Sequence, residues 1–275
     1  MSVCNICPRR CVLSEGKTGF CRARACLNNK IVPLNYGKIT SLALDPIEKK
    51  PLYHFYPNSK ILSVGSFGCN LKCPFCQNYT ISMADVNNTS YRQISPEELV
   101  KTAIELKNSP LNNIGVAFTY NEPLLSYEYV KDCAVLLKKA GLKTVLVTNG
   151  CFNDEILDEI LPLTDALNID LKGFSKDYYD YVCGDFECVK NTIKKASSCC
   201  HVEVTTLVVP TKNDSEDQMK EEASWLADIS KDIVLHISRY FPAYQSKIGA
   251  TPVQNIYALK DVAKQYLKYV YTGNC

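Results

Sequence analysis

The sequence SFGCNLKCPFCQN, residues 66–78, directly follows the apolar run ILSVG of residues 61–65. The apolar run is typical of a buried strand, and the motif after it holds three cysteines, Cys69, Cys73 and Cys76, within eight residues. Zinc normally takes four ligands, and a cubane iron–sulfur cluster has four irons to ligate. Three cysteines therefore predict a cluster that leaves one iron open to a substrate or cofactor, which indicates chemistry rather than structural support.

The composition of the chain narrows the class of protein. It has 275 residues, of which 46% are hydrophobic, enough for one sizeable core. Its 31 Lys and Arg and 29 Asp and Glu give a formal charge of +2. This nearly balanced charge does not indicate a nucleic-acid partner. The N-terminus lacks the segments of a signal peptide, and no apolar run approaches the roughly 18 residues that span a membrane. We therefore expect a soluble, cytoplasmic protein without a membrane partner.

Fifteen cysteines are many for such a chain. In a small secreted protein they would predict disulfides, but this chain is large and its cysteine count is odd. The count favours a reducing cytosol with soft-metal sites and several buried thiols. Cys133, Cys151 and the pair Cys199-Cys200 are interpreted as small core residues.

Predicted strands and helices alternate beyond about residue 60, in about six units. The strands are short, apolar and rich in β-branched residues, as in a parallel sheet covered on both faces. Repeated right-handed crossovers of this kind build either a doubly wound sheet or a barrel, whole or partial. The first helix is predicted to begin after an N-cap at Ser95. The strands are predicted at 61–66, 114–119, 144–148, 166–171, 202–209 and 233–238, and the last helix at 255–269.

Polar side chains fall at or just after the ends of five of these strands. In a (β/α) barrel the carboxyl ends of all strands meet at one face, where the active site forms. In a flat doubly wound sheet the functional side chains gather instead at the one point where the strand order reverses. Polar side chains at the ends of five strands therefore favour the barrel. The residues are Cys69, Asn121 and Glu122, Thr148 and Asn149, Asp170 and Lys172, and His236.

Residues 1–58 differ from the rest and are predicted to form a small cysteine-rich module, with residues 59–275 as the core. Four thiolates are enough to close a tetrahedral metal site, and the module has them at Cys4, Cys7, Cys11 and Cys21. The spacing leaves open a second iron–sulfur cluster, a structural zinc, or a redox Cys-x2-Cys pair without metal. Cys26 could replace one of the four ligands.

With Phe75 before its last cysteine, the motif resembles the hallmark of the radical S-adenosylmethionine (SAM) superfamily, and the resemblance spans the whole chain. The chain looks most like the radical SAM component of the AmmeMemoRadiSam system, which is related to the activating enzymes of pyruvate formate-lyase and other glycyl-radical enzymes. The matching stretches are CNICPRRC at 4–11, GFCRAR at 19–24, DPIEKKPLYHFYP at 45–57, GCNLKCPFCQN at 68–78, TYNEP at 119–123 and DLKG at 170–173.

The resemblance implies an α/β fold, a partial (βα)6 TIM-like barrel with a small N-terminal cysteine-rich extension. It also implies a [4Fe–4S] cluster on Cys69, Cys73 and Cys76, with SAM on the fourth iron. One electron from the cluster would cleave SAM to methionine and a 5′-deoxyadenosyl radical, which abstracts hydrogen from a substrate.

The same resemblance implies roles for individual residues. Glu122 would bind the SAM amino group, although Tyr120 and Asn121 stand where the superfamily has paired glycines. Asp170 would help to hold a monovalent cation, and Lys172 would approach the SAM carboxylate. The other implied cofactor contacts are Phe75, Asn121, Thr148 and Asn149, and His236, which is predicted to end the sixth strand near the adenosine.

The substrate stays open at this point. The suggested partners are SAM, an electron donor such as flavodoxin or ferredoxin, and a protein substrate or a Memo-type partner. An activase acting on a backbone glycine of another protein is the alternative enzyme, although residues 77–91 lack the extra cysteines that many activases carry. From another class, a non-catalytic iron–sulfur or zinc protein for electron transfer or scaffolding would not need Glu122, Asp170 and Lys172 at strand ends. The family usually continues into a further cysteine-containing segment, which we expect to be absent after Cys275.

Overall fold

The computed structural model describes all residues from Met1 to Cys275. The strands are β1 (Ser2–Val3), β2 (Val12–Leu13), β3 (Arg24–Leu27), β4 (Lys30–Pro33), β5 (Lys38–Ile39), β6 (Ser41–Pro46), β7 (Lys60–Gly65), β8 (Arg92–Gln93), β9 (Asn113–Phe118), β10 (Lys143–Thr148), β11 (Ala166–Asp170), β12 (His201–Val208), β13 (Val234–Arg239) and β14 (Tyr269–Gly273). The α-helices are α1 (Tyr79–Ser82), α2 (Pro96–Lys107), α3 (Tyr127–Lys139), α4 (Asp154–Ile160), α5 (Lys176–Tyr181), α6 (Phe186–Ser197), α7 (Glu216–Ile229) and α8 (Val253–Ala263). Short 3-10 helices span Ile47–Lys49, Pro123–Ser126 and Leu161–Leu163. None of the helices is long and apolar enough to cross a membrane.

One eight-stranded sheet organises the chain. Its order is β14-β13-β12-β11-β10-β9-β7-β6, in which β6 runs antiparallel to β7 and the other neighbours are parallel. The two edge strands do not pair with each other, so the sheet is open, as in a partial barrel. All six predicted strand–helix units are present, since β7, β9, β10, β11, β12 and β13 are each followed along the chain by an α-helix.

Helix α2 begins where the sequence predicts it. Ser95 Oγ accepts a hydrogen bond from Glu98 N at 3.2 Å, and Glu98 Oε2 accepts one from Ser95 N at 2.8 Å. This reciprocal capping box satisfies two amide groups at the start of the helix. The buried side chains Leu99, Val100 and Ala103 then lie on the face of α2 that joins the core.

The two faces of the sheet are covered by different parts of the chain. A core of 57 buried residues joins the helices to one face, with Leu62, Val116 and Leu146 contributed by strands. Alternate strand residues point to the other face, where seven residues form a second core. There Leu52 and Phe55, which follow β6, meet inward-facing residues of β7, β9, β10 and β11. This segment fills the barrel interior from the amino-terminal side and leaves the carboxyl ends of the strands free for a site.

The end of the chain differs from the prediction. The helix predicted over 255–269 is wrong in its last six residues, because α8 ends at Ala263 and Tyr269–Gly273 is strand β14, parallel to β13. The run Tyr-Val-Tyr-Thr has the aromatic and β-branched residues typical of strands, but periodicity does not separate so short a run from a longer helical pattern. Strand β13 also continues to Arg239, so His236 lies within its strand rather than at the end.

The boundary predicted at residue 58 does not follow the packing. Strand β6 pairs with β7 along its whole length. The backbone amides of Tyr53 and His54 donate hydrogen bonds to Glu203 of β12 at 2.9 and 2.8 Å. Residues 41–58 therefore belong with the barrel, and the pairs β1-β2 and β3-β4, outside the central sheet, lie in the first 40 residues.

Glu222 of α7 is a buried acid, and its protonation state affects the free energy of unfolding. Its carboxyl is hydrogen-bonded to Thr206 Oγ1, which also lies 3.1 Å from Leu171 O. Burial raises the pKa of this carboxyl from 4.5 to about 8. Because the folded pKa exceeds the unfolded one, the contribution of this group to the free energy of unfolding is largest below pH 4.5 and is lost as pH rises towards 8.

We expect Glu222→Gln to raise the free energy of unfolding by about 3 kcal/mol at pH 7, since a shift of one pKa unit is worth ~1.4 kcal/mol. At pH 4 the carboxyl is protonated in both states, so the difference should be close to zero. Urea unfolding at the two pH values measures both effects, and Glu221→Gln on the exposed side of α7 is the matched control. A stabilisation that did not change with pH would contradict this assignment.

Candidate active site

The loop of residues 66–78 after β7 is held in place by many contacts. Asn121 Oδ1 accepts a hydrogen bond from Ser66 N at 2.9 Å, and Asn121 Nδ2 donates to Phe67 O and Gly68 O at 3.1 and 3.2 Å. Arg22 Nη2 donates to Cys69 O at 3.3 Å. Asn121, predicted as a cofactor contact, is thus first of all an anchor of the cysteine loop.

Gly68 allows the N-terminal residues to approach this loop. Its φ is +88°, and a Cβ at this position would lie 2.7 Å from both Ala23 Cβ and Cys21 O. A side chain would therefore both strain the backbone and collide with neighbouring atoms. The glycine before Cys69 sets the path of the loop and its distance from the N-terminal cysteines.

A cavity of about 270 Å³ opens at the carboxyl ends of the strands. All the residues predicted for the cluster and for SAM line it, with the exception of His236. They are Cys69, Cys73, Phe75, Cys76, Asn121, Glu122, Thr148, Asn149, Asp170 and Lys172. Residues from four separate segments of sequence therefore meet in one place, as expected where parallel strands converge.

The three thiols of the loop have the chemistry of a cluster site. Three thiols in one loop suit an iron–sulfur cluster, since each thiolate binds a different iron. The Cys69 sulfur accepts hydrogen bonds from Leu71 N at 3.4 Å and from Asn149 Nδ2 at 3.7 Å. Burial raises the pKa of Cys73 to about 12, so cluster assembly has to release protons from these thiols.

Glu122 lies at the centre of the site and is fully buried. Its Oε1 accepts hydrogen bonds from Thr148 Oγ1 at 2.8 Å and from Leu124 N at 3.2 Å, and its Oε2 accepts one from Asn149 N at 2.8 Å. Burial raises the pKa of the carboxyl to about 7, against the opposing effect of these hydrogen bonds. Glu122 therefore joins the end of β9 to the end of β10 and lacks a cationic partner within the protein, which an ammonium group of a ligand would supply.

Asp170 and Lys172 lie at the end of β11, one residue apart. Lys172 Nζ is 2.8 Å from Asp170 Oδ2. Burial lowers the pKa of Lys172, but the Asp170 carboxylate and the Cys73 thiol together raise it above its usual value. The lysine is therefore a fixed positive charge between a carboxylate and the cysteine loop.

Phe75 and Thr148 complete the predicted set. The Phe75 ring is buried and packs edge-on against Tyr240 at 6.1 Å between ring centres. Thr148 Oγ1 donates to Glu122 and accepts a hydrogen bond from Gly150 N at 3.1 Å. Phe75 therefore forms part of the wall of the cysteine loop, and Thr148 orients the Glu122 carboxylate.

The structure does not bring His236 to the cavity. Its Nε2 lies 2.6 Å from Glu203 Oε2, and its ring stacks on Tyr271. The cavity is lined instead by Ser238, two residues further along the same face of β13. His236 thus lies one step below the cavity wall, next to Thr205 in the sheet, and its position near the adenosine stays a prediction.

Several other lining residues were not predicted. Tyr120, Thr205, Ser238 and Asn274 line the part of the cavity between β9, β12, β13 and β14. Thr205 and Ser238 could have been found from alternation along strands that had been recognised. Asn274 could not, because strand β14, which carries it to the site, was not predicted.

The four N-terminal cysteines lie close together. Cys4, Cys7, Cys11 and Cys21 line one small cavity of about 10 Å³. Four thiols are the number that a tetrahedral zinc site needs. A metal site on these four residues stays a prediction, and the identity of the metal stays open.

An open parallel barrel with three loop thiols, a buried acid and a fixed lysine at its carboxyl ends is the arrangement of enzymes that bind SAM at an iron–sulfur cluster. A sequence model described as "Radical SAM superfamily" matches residues 63–225. The chain therefore belongs to the radical SAM superfamily and is an enzyme of that class. The family implies a [4Fe–4S] cluster and SAM.

Similar proteins agree with this placement. An uncharacterised protein of Methanocaldococcus jannaschii is 41% identical over 276 residues, 98% of this chain and 80% of that protein. The pyruvate formate-lyase-activating enzyme of Clostridium pasteurianum is 31% identical over 170 residues, 60% of this chain and 67% of that enzyme. A radical SAM methyltransferase from Sphaerobacter thermophilus has the same fold, with a TM-score of 0.60 at 15% identity over 79% of this chain and 67% of the other. The predicted partial barrel and the relation to activating enzymes are confirmed.

Proposed function

We propose that this enzyme binds a [4Fe–4S] cluster through Cys69, Cys73 and Cys76 and cleaves SAM reductively to abstract hydrogen from a substrate. The observation that carries the proposal is the single cavity that these cysteines share with Glu122 and Lys172. The bound cluster would supply one electron to SAM and so generate a 5′-deoxyadenosyl radical.

The side chains of the cavity would bind and orient SAM by charge. The ammonium of its methionine part would lie against Glu122, whose two oxygens already have fixed directions. The carboxylate would lie against Lys172, which Asp170 keeps protonated and in place. Asp170 is also the residue that we propose for a monovalent cation, since its side chain is about one third exposed. Oxygen ligands are those that hard cations prefer.

Lys172→Met tests this orientation. It removes the positive charge but keeps most of the side-chain volume, so we expect the Kd for SAM to rise about tenfold or more, in line with ~1.5–3 kcal/mol for a hydrogen bond to a charged group. Equilibrium dialysis against the reconstituted protein measures it. The matched control is Lys176→Met, which alters a solvent-exposed lysine on α5. Equal affinity in the wild type and Lys172→Met would remove Lys172 from the SAM site.

A glycyl-radical-enzyme activase is the second candidate function. It is supported by relatives named as activating enzymes, including that of Clostridium pasteurianum. The two candidates differ in the source of the abstracted hydrogen. Incubation with candidate partner proteins labelled with α-deuterated glycine should transfer deuterium to 5′-deoxyadenosine and leave a glycyl radical signal if the activase proposal holds. Unlabelled 5′-deoxyadenosine without a protein radical would favour a different substrate.

The remaining predicted partners stay predictions. They are an electron donor of the flavodoxin or ferredoxin class and a Memo-type partner of the AmmeMemoRadiSam system. We also propose that the enzyme works in a reducing compartment, the cytoplasm. The absence of disulfides supports this, since all fifteen cysteines are free.

A further inference from the structure

A second cysteine-lined cavity lies on the other side of the loop that holds Cys69. Its volume is about 210 Å³, and Cys7, Cys151 and Cys183 line it together with Arg9, Asn70 and Asp185. These thiols come from three distant parts of the sequence. Cys151 was interpreted as an ordinary core residue, and no sequence motif links it to Cys7.

This cavity is much larger than the space among the four N-terminal cysteines. That space is about 10 Å³, about the volume needed for one water molecule. Cys7 lines both cavities. The cavity that Cys7 shares with Cys151 and Cys183 therefore has room for an inorganic cluster, whereas the space among the four N-terminal cysteines has room for a single ion.

The side chains that line the larger cavity indicate the kind of metal centre that it would bind. Three thiols without a histidine favour soft metals and iron–sulfur clusters. In such a cluster each thiolate binds a different iron, so three thiols spread around one cavity suit it. Asp185 lines the same cavity and brings a carboxylate close to the thiols, although its Oδ1 accepts a hydrogen bond from Cys188 N at 2.9 Å.

Protein contacts hold the elements around this cavity together. Arg9 Nη2 donates a hydrogen bond to Cys183 O at 2.9 Å, which ties the N-terminal segment to the turn between α5 and α6. Asn153 Nδ2 donates to Asn5 O at 2.9 Å and to Cys7 O at 3.3 Å. The cavity wall is therefore an organised part of the fold and not a gap between loosely placed segments.

Two asparagines connect this cavity to the SAM site. Asn149 Nδ2 lies 3.7 Å from the Cys69 sulfur, and Asn149 Oδ1 accepts a hydrogen bond from Cys151 N at 2.9 Å. Asn70, the residue next to Cys69, donates from Nδ2 to Cys151 O at 2.8 Å. A single side chain thus bridges a thiol of the first site and the backbone of a thiol of the second.

We propose that Cys7, Cys151 and Cys183 hold a second iron–sulfur cluster, through which electrons enter the enzyme. That cluster would accept one electron from an external one-electron donor of the flavodoxin or ferredoxin class and pass it to the cluster on Cys69, Cys73 and Cys76, so that one centre would be oxidised as the other is reduced. Asn149, which is hydrogen-bonded to both sites, would lie between them. This role, but not the site itself, rests on the proposed radical SAM function.

Iron counting tests the site. After anaerobic reconstitution with iron and sulfide, the wild type should bind about eight irons per chain if both clusters have four. The triple variant C69S/C73S/C76S and the double variant C7S/C151S should each retain about four, and each should keep a different electron paramagnetic resonance signal. Cys199→Ser, an exposed thiol outside both cavities, is the control and should retain all eight. Cys183→Ser on the cavity rim serves as a second, milder variant should C7S/C151S fail to fold, and it should lower the iron content or change the second signal.

Three results would each overturn the second cluster. They are a C69S/C73S/C76S variant without iron, a Cys183→Ser variant with the wild-type iron content and both signals, and stoichiometric zinc in the wild type. The electron-entry role has a separate readout, the rate at which the first cluster is reduced. In C7S/C151S this rate should fall at least tenfold with reduced flavodoxin and stay unchanged with dithionite. An unchanged rate with flavodoxin would overturn the role. A wild type with both clusters that does not cleave SAM would refute the proposed function and leave the second site standing.

Discussion

Cys73→Ala should abolish formation of 5′-deoxyadenosine from SAM, with a loss of at least ~100-fold, since changes to residues that only support metal ligands already cost 10–100-fold. Cys73 is the middle thiol of the three and is 8% exposed. In the variant, little water can therefore reach the iron that has lost its cysteine ligand. Only Cys69 and Cys76 would then hold the cluster, and two thiolates cannot fix four irons while one stays open to SAM.

The measurement is anaerobic reconstitution, reduction in the presence of SAM, and quantitation of 5′-deoxyadenosine and methionine. Cys199→Ser provides the matched control because it replaces a thiol that is exposed and distant from the cavity. The spectroscopic signal of the cluster should disappear in Cys73→Ala together with the product. SAM cleavage at the wild-type rate in this variant would mean that the loop thiols are not the ligands.

Glu203→Gln should lower the free energy of unfolding by about 3 kcal/mol at pH 7, because ~1.4 kcal/mol corresponds to each unit of pKa shift. Glu203 is fully buried inside the barrel, where it accepts hydrogen bonds from two backbone amides and contacts His201 and His236. Burial raises the pKa of the carboxyl, but these contacts outweigh it and lower the pKa from 4.5 to about 2. The charged form is therefore strongly favoured by the fold.

The sign of the pH dependence follows from this lowered pKa. The contribution of Glu203 to stability is present in full above pH 4.5, the unfolded value, and is lost as pH falls towards 2. The difference between the wild type and Glu203→Gln should shrink over the same interval. Urea unfolding between pH 7 and 2.5 measures it, with the exposed Glu105→Gln in α2 as control. A constant difference across this range would show that the charge of Glu203 is not what stabilises the barrel.

Much of the site could be predicted because its residues occupy sequence-local motifs. The three cysteines lie in one loop after an apolar strand, and Glu122, Asp170 and Lys172 each follow a strand whose end the sequence marks. Parallel strands bring such ends together regardless of the details of packing. The resemblance to the superfamily then supplied roles that spacing alone does not contain.

Other predictions were wrong where long-range packing decides. His236 was placed at a strand end, but β13 continues because β12 and β14 both pair with it. The N-terminal residues were divided from the core at residue 58, but the amides of Tyr53 and His54 satisfy a carboxylate on β12. Neither outcome can be inferred from local patterns, because the strand partners of His236 lie more than 30 residues away and Tyr53 is 150 residues from Glu203.

By itself the sequence determined a parallel α/β fold and a loop with three closely spaced cysteines, because apolar periodicity and cysteine spacing are local properties. Only the tertiary structure decided what surrounds that loop. The side chain of Asn149 reaches both the Cys69 sulfur and the backbone of Cys151, and Cys7 faces Cys151 and Cys183 rather than only its neighbours in sequence. Such contacts depend on how the crossovers fold back on the sheet, and the chain positions that they join carry no shared pattern.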